Sequence, residues 1–114
     1  MKRALGSHTG TGSWLMQRAT ALALAVLLPL LAIRLLAALP ADYAGWRAAF
    51  APTWVRVAWL LAALSLALHA WVGMRDLLMD YVQPMAARLA LYLVVIGTLA
   101  GSVIWLMASL WPAA

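Results

Sequence analysis

Three long apolar runs joined by short polar segments leave this chain very few ways to fold. The first covers residues 19–39, and the other two fall within about 54–78 and 84–111. A helix that crosses a bilayer needs about 20 apolar residues, and each run supplies that length. Inside hydrocarbon the backbone must satisfy its own hydrogen bonds, which a helix does. A soluble domain is roughly half apolar and a quarter charged, whereas this chain is 68% hydrophobic and 10% charged. The expected fold class is therefore an all-α membrane protein with three transmembrane helices. At 114 residues the chain is too short for a large independent core, so its helices are expected to pack against partner chains.

Helix boundaries follow from local chemistry. Residues 1–12 are polar and rich in Gly, Ser and Thr, and read as a flexible cytoplasmic tail. A secretory signal fits poorly, because its apolar region is about 7–15 residues long. Residues 13–114 read as the anchor domain, with helices over about 13–39, 54–78 and 84–111. Ser13 is a candidate N-cap, and Pro29 is expected to kink the first helix. Arg34 lies about 22 Å beyond Ala19 at 1.5 Å per residue, close enough to the far interface to snorkel there. Between Pro40 and Pro52, the residues Tyr43, Trp46, Arg47 and Phe50 recur at helical spacing. That pattern predicts a short interfacial helix with its aromatics inward, a structural belt with no site chemistry. Pro84 suits the first turn of the third helix, and Pro112 ends it. Gly97 and Gly101 form a GxxxG pair that permits close helix contact. Trp105 and Trp111 mark the far interface.

The eight Lys and Arg residues and net charge of +5 are scattered singly near segment ends. They read as topology signals and do not form a nucleic-acid patch. Lys2, Arg3, Arg18, Arg75 and Arg88 fall on one side, and Arg47, Arg56 and Arg34 on the other. The positive-inside rule then places the N-terminus in the cytoplasm and the C-terminus in the periplasm. The chain has no cysteine, which excludes disulfides, iron–sulfur ligation and thiol catalysis by this chain.

One residue does not belong in such a helix. His69 lies deep in the second apolar run, and an intramembrane ionisable group is a functional candidate by default. Ser65, His69, Gly73 and Asp76 share one helical face. With Asp76 at the membrane edge, the His69 Cα lies roughly 10 Å inside it. Three roles remain open for His69: a hydrogen-bonded packing residue, a member of a proton path, or an axial ligand to haem. A haem beside a helix needs small residues one turn away, and Ser65 and Gly73 occupy those positions. A ligating imidazole also needs an acceptor for its other N–H, and the hydroxyl or carbonyl of Ser65 is one turn earlier. Depth restricts the second axial ligand. His8 lies in the tail, Met107 near the opposite interface, Met74 on another face and Met16 at the edge. A six-coordinate haem would need its other ligand from another chain.

Asp80 and Tyr81 follow where the chain leaves the membrane, in a polar turn. They suit a solvated interfacial pair, or a site for a quinone headgroup. A quinone carbonyl needs a hydrogen-bond donor at the interface, and a neutral tyrosine hydroxyl is one.

His69-Ala-Trp-Val-Gly-Met74, then Asp80-Tyr81-Val82 and Pro84, resembles the small cytochrome b membrane-anchor subunits of bacterial succinate dehydrogenase, respiratory complex II. Arg18-Ala-Thr-Ala21 at the head of the first helix is similar as well, and the three-helix layout matches from about residue 13 to 111. The resemblance implies that His69 is one axial ligand of haem b, the other coming from a larger sister anchor subunit. It implies that Tyr81 hydrogen-bonds ubiquinone, that Asp80 supports that site through a partner arginine, and that Arg18 lies near the haem propionates. It further implies docking of iron–sulfur and flavoprotein subunits on the cytoplasmic face of the bacterial inner membrane. In that setting the chain carries no catalysis of its own; it serves electron transport from the tricarboxylic acid cycle. Two other readings fit the composition: a haem-free structural anchor of a fumarate-reductase-like complex, and a small proton-coupled transporter using His69 and Asp76.

Overall fold

The computed structural model describes residues 3–39 and 41–111, with side chains from residue 11 onward. Lys2, Pro40 and Pro112, and the side chains of Arg3 and His8, lie outside the described residues. Four helices follow in order: α1 (Arg3–Ala38), α2 (Tyr43–Ala49), α3 (Thr53–Tyr81) and α4 (Met85–Leu110). Three are long and apolar enough to span a bilayer, over Thr11–Ala38, Thr53–Tyr81 and Met85–Leu110. The all-helical, three-span expectation holds, and α2 is the short connecting helix expected between the first two spans.

The boundaries differ in three places. The helix of α1 continues back to Arg3 and does not begin at Ser13. Ser13 is an interior residue and caps nothing. Adding residues to an existing helix is far easier than nucleating one, so the glycines before Ser13 do not stop it. At the other end, α3 runs on through Asp80 and Tyr81. These two residues form its last turn, where a polar turn was expected. Val82 leaves the helix with φ −111° and ψ 105° while its N–H still donates to the Leu78 carbonyl at 2.9 Å. Third, Pro84 stands one place before α4, as its N-cap residue. Pro29 sits inside α1 without interrupting it.

The central element is α3, which packs on α1 along one side and on α4 along another. Leu31 of α1 and Val55, Ala62, Val72 and Leu78 of α3 are buried, with Val55 only 1% exposed. Trp71 meets Tyr92 of α4 edge to face, ring centroids 5.5 Å apart. The helix α2 is fixed by polar as well as apolar contacts. Asp42 caps it by accepting from the Gly45 N–H at 2.8 Å. Arg34 of α1 donates to the Ala49 carbonyl at 3.1 Å, a cation at a helix C-terminus. Its guanidinium also lies 5.0 Å from the centroid of the Trp54 ring. The expected inward aromatic belt holds in part. Trp46 stacks on Phe50, and Phe50 meets Trp59 of α3. Tyr43 is exposed.

Outside these contacts the surface is apolar. Leu22, Ile33, Leu93, Val94 and Ile104 are all exposed. Among the described residues nothing lies within 4 Å of a Cβ built on Gly97 or Gly101, so the GxxxG face of α4 is open there.

Candidate functional site

The α1–α3 contact is lined by two polar stripes with the same spacing. Ser13, Gln17 and Thr20 lie four and three apart on α1; His69, Gly73 and Asp76 lie four and three apart on α3. Such spacing keeps each set on one helix face. The helices run antiparallel, and the stripes meet rung by rung. Thr20 faces His69, Gln17 faces Gly73, and Ser13 accepts from Arg75 beside Asp76.

The centre of this seam is the Thr20–His69 pair. Thr20 Oγ1 lies 3.0 Å from His69 Nδ1. It also lies 2.7 Å from the Met16 carbonyl and 3.2 Å from that of Gln17. A hydroxyl has one proton to donate. Carbonyls can only accept, so the Thr20 proton goes to its own helix and its lone pair faces the imidazole. That arrangement favours the His69 tautomer with the proton on Nδ1, donated to Thr20. A neutral imidazole with Nδ1–H has a bare lone pair on Nε2. Thr20 is 6% exposed, so water does not compete for the pair.

Ser65 was the acceptor suggested by position alone. It lies one turn away on the same helix, but the described residues place Thr20 on Nδ1. The sequence contained a signal for Thr20: two polar stripes of matching spacing on two antiparallel spans. Gly73 is covered by this chain's own Gln17, whose Nε2 lies 3.7 Å from the position a Cβ would take. Among the described residues Gln17 Oε1 is buried without a hydrogen-bond partner, and so is Arg75 Nε. Both lie on the cytoplasmic side of His69 by the expected orientation. Arg18 turns away from this seam, two residues and about 200° of helix from Thr20. It is exposed, with its guanidinium 5.1 Å over the Trp14 ring.

Asp80 and Tyr81 occupy the last turn of α3. Tyr81 is 78% exposed. Neither its hydroxyl nor the Asp80 carboxylate has a hydrogen bond or ion pair among the described residues; only the Asp80 main-chain carbonyl accepts, from Gln83 at 3.4 Å. The nearby arginines are engaged elsewhere. Arg75 meets Asp76 at 3.5 Å, and Arg88 donates to the Val82 carbonyl at 3.1 Å. Twelve residues of helix separate Tyr81 from His69, about 18 Å along the axis.

Among the described residues no three His, Cys, Asp or Glu side chains cluster as a metal site. A metal held by His69 would need further ligands from a cofactor or a second chain. The residues fit that demand: the imidazole is held at Nδ1 by Thr20, and its Nε2 has no hydrogen bond among the described residues.

Fold and site together define a small three-span membrane subunit that offers one oriented imidazole within the bilayer and an exposed acid–tyrosine pair at its edge. Residues 1–105 match the family described as Succinate dehydrogenase/Fumarate reductase transmembrane subunit. The succinate dehydrogenase hydrophobic membrane anchor subunit of Coxiella burnetii is 34% identical over 107 residues, covering 94% of this chain and 93% of that one. The chain belongs to this transmembrane-subunit family. The family match takes in the N-terminal residues, which the motif resemblance left outside.

Proposed function

We propose that this chain is the small anchor subunit of a succinate:ubiquinone oxidoreductase in a bacterial inner membrane, that it supplies one axial ligand to haem b, and that it forms part of the ubiquinone site. The observation that carries the proposal is the Thr20–His69 hydrogen bond. It holds the imidazole by Nδ1 and leaves Nε2, the nitrogen that would meet iron, without a hydrogen bond among the described residues. Family membership supports the same reading.

The haem would supply a one-electron redox centre at low dielectric, shared with a larger sister anchor subunit that brings the other ligand. Thr20 holds the imidazole. Arg75 and Gln17 are this chain's candidates for polar contact at the haem edge. Arg18, which the motif resemblance put there, would need its guanidinium to leave Trp14. Electrons come from succinate through flavoprotein and iron–sulfur subunits docked on the cytoplasmic side. Ubiquinone takes up two electrons and two protons to become ubiquinol. Tyr81 donates a hydrogen bond to a quinone carbonyl oxygen, which strengthens as negative charge develops there. Asp80 holds an arginine from a neighbouring subunit and keeps the site polar at its water-facing side.

Two measurements test this. The complex purified through this chain is expected to show a b-type α-band in its reduced-minus-oxidised spectrum; a complex with full subunit content and no band refutes the haem assignment. Tyr81→Phe is expected to lower quinone reduction by about tenfold or more, the loss of one hydrogen bond to a charged group. Succinate oxidation with an artificial acceptor should persist. Equal loss of both activities would remove Tyr81 from the quinone site.

A further inference from the structure

At the end of the bundle opposite Tyr81, residues of α2, α3 and α4 line a half-open cavity of about 340 Å³. Its lining divides by chemistry. Arg47, Arg56 and Tyr43 supply donors, the Ser109 hydroxyl donates to the Trp105 carbonyl at 2.9 Å, and Leu106 and Leu110 of α4 form an apolar wall. Among the described residues no carboxylate lines it. The nearest acid in the sequence, Asp42, is occupied as the cap of α2.

Three arginines stand at this end: Arg34 is engaged within the chain, Arg56 in part, and Arg47 not at all among the described residues. Arg34 serves the Ala49 carbonyl and Trp54. Arg56 donates through Nε to the Phe50 carbonyl at 3.0 Å and lies 5.9 Å from the Trp111 ring centroid. That leaves the terminal nitrogens of Arg56 available. Arg47 has no hydrogen bond or ion pair among the described residues. Arginine on the outer side of a membrane protein runs against the positive-inside tendency, so an uncompensated pair there calls for an anion.

We propose that this cavity binds the phosphate of an anionic phospholipid between Arg47 and Arg56, with an acyl chain against Leu106 and Leu110. Guanidinium pairs match phosphate oxygens in geometry and charge. The amphipathic lining matches a lipid better than a free ion, because a phosphate alone has no use for a leucine wall. The site stands where the spans end, at headgroup depth. Basic pockets at helix ends hold anionic headgroups by the same physics. It does not depend on the haem assignment.

The test uses the assembled complex, washed in detergent containing phosphatidylcholine, with retained lipid measured by mass spectrometry. The wild type is expected to keep phosphatidylglycerol or cardiolipin through the wash. Arg47→Gln should reduce that retention about fivefold, the worth of one cation at an anionic headgroup, and Arg47→Lys should restore most of it. Leu106→Trp, which fills the cavity and keeps both arginines, should also expel the lipid. Unchanged retention in Arg47→Gln overturns the proposal. So does loss of phosphatidylcholine to the same degree, or displacement of the lipid by inorganic phosphate alone. Ser109→Cys, in a chain with no native cysteine, should not cross-link to another subunit; a cross-link would assign the cavity to protein.

Discussion

His69→Ala is expected to abolish the b-type α-band of the purified complex and to lower its thermal stability well beyond what one lost hydrogen bond explains. Two magnitudes separate a ligand from a packing residue. If His69 only packs, its removal deletes one neutral hydrogen bond, worth about 1 kcal/mol. Thr20 would lose little, because its hydroxyl already donates to the Met16 carbonyl at 2.7 Å. If His69 binds haem, its removal also deletes the binding free energy that stabilises the assembly. A group held at a thousand times its dissociation constant contributes about 4 kcal/mol. His8 is the other histidine in the chain, and no cluster of metal-binding side chains stands among the described residues. The chain itself therefore has no evident substitute ligand. His69→Gly with added imidazole provides the control: a small ligand entering the vacated space should restore part of the band without restoring any packing. Full haem content in His69→Ala, measured as the pyridine adduct, would remove this residue as a ligand whatever happens to activity.

The spans are legible in the sequence because hydrocarbon is an exacting solvent. Each needs some twenty apolar residues with internal hydrogen bonds, and no other segment of this chain meets the demand. Helix ends are less legible, because the signals that mark them are worth only tenths to a few kcal/mol. Ser13 looks like a cap and is an interior residue. Asp80 and Tyr81 look like a turn and are helical until Val82. His69 is conspicuous because one imidazole in a long apolar run has no rival. Its partner is not conspicuous. Ser65 is suggested by its place one turn away in the same helix, whereas Thr20 lies 49 residues off and reaches His69 only through the antiparallel register of α1 and α3. The same holds for Arg75, whose link to Ser13 spans 62 residues. Local periodicity identifies which face of each helix is polar. It does not state which polar faces meet, and the chemistry of the site depends on that.

The register yields a second large effect, at a position that motif resemblance quotes only in passing. Thr20→Val keeps the shape and β-branching of the side chain and deletes the hydroxyl. Helix propensity changes little, and the residue stays buried between α1 and α3. The imidazole Nδ1–H then faces two methyl groups and loses its acceptor. Losing the group that orients a metal-bound histidine typically weakens metal affinity about 10- to 100-fold. Thr20→Val is therefore expected to retain haem that comes away in a mild detergent wash from which the wild type emerges intact. The remaining haem should have a more positive midpoint potential, because an imidazole without an acceptor on Nδ1 is a poorer electron donor to the ferric state. Thr20→Ser restores the hydroxyl and should restore both properties. Ser65→Ala, which removes the hydroxyl on the other side of His69, should alter neither. A purely structural Thr20 would show lower stability in Thr20→Val with the potential unmoved. In that event the 3.0 Å contact would be packing alone, and the imidazole would take its orientation from the sister subunit.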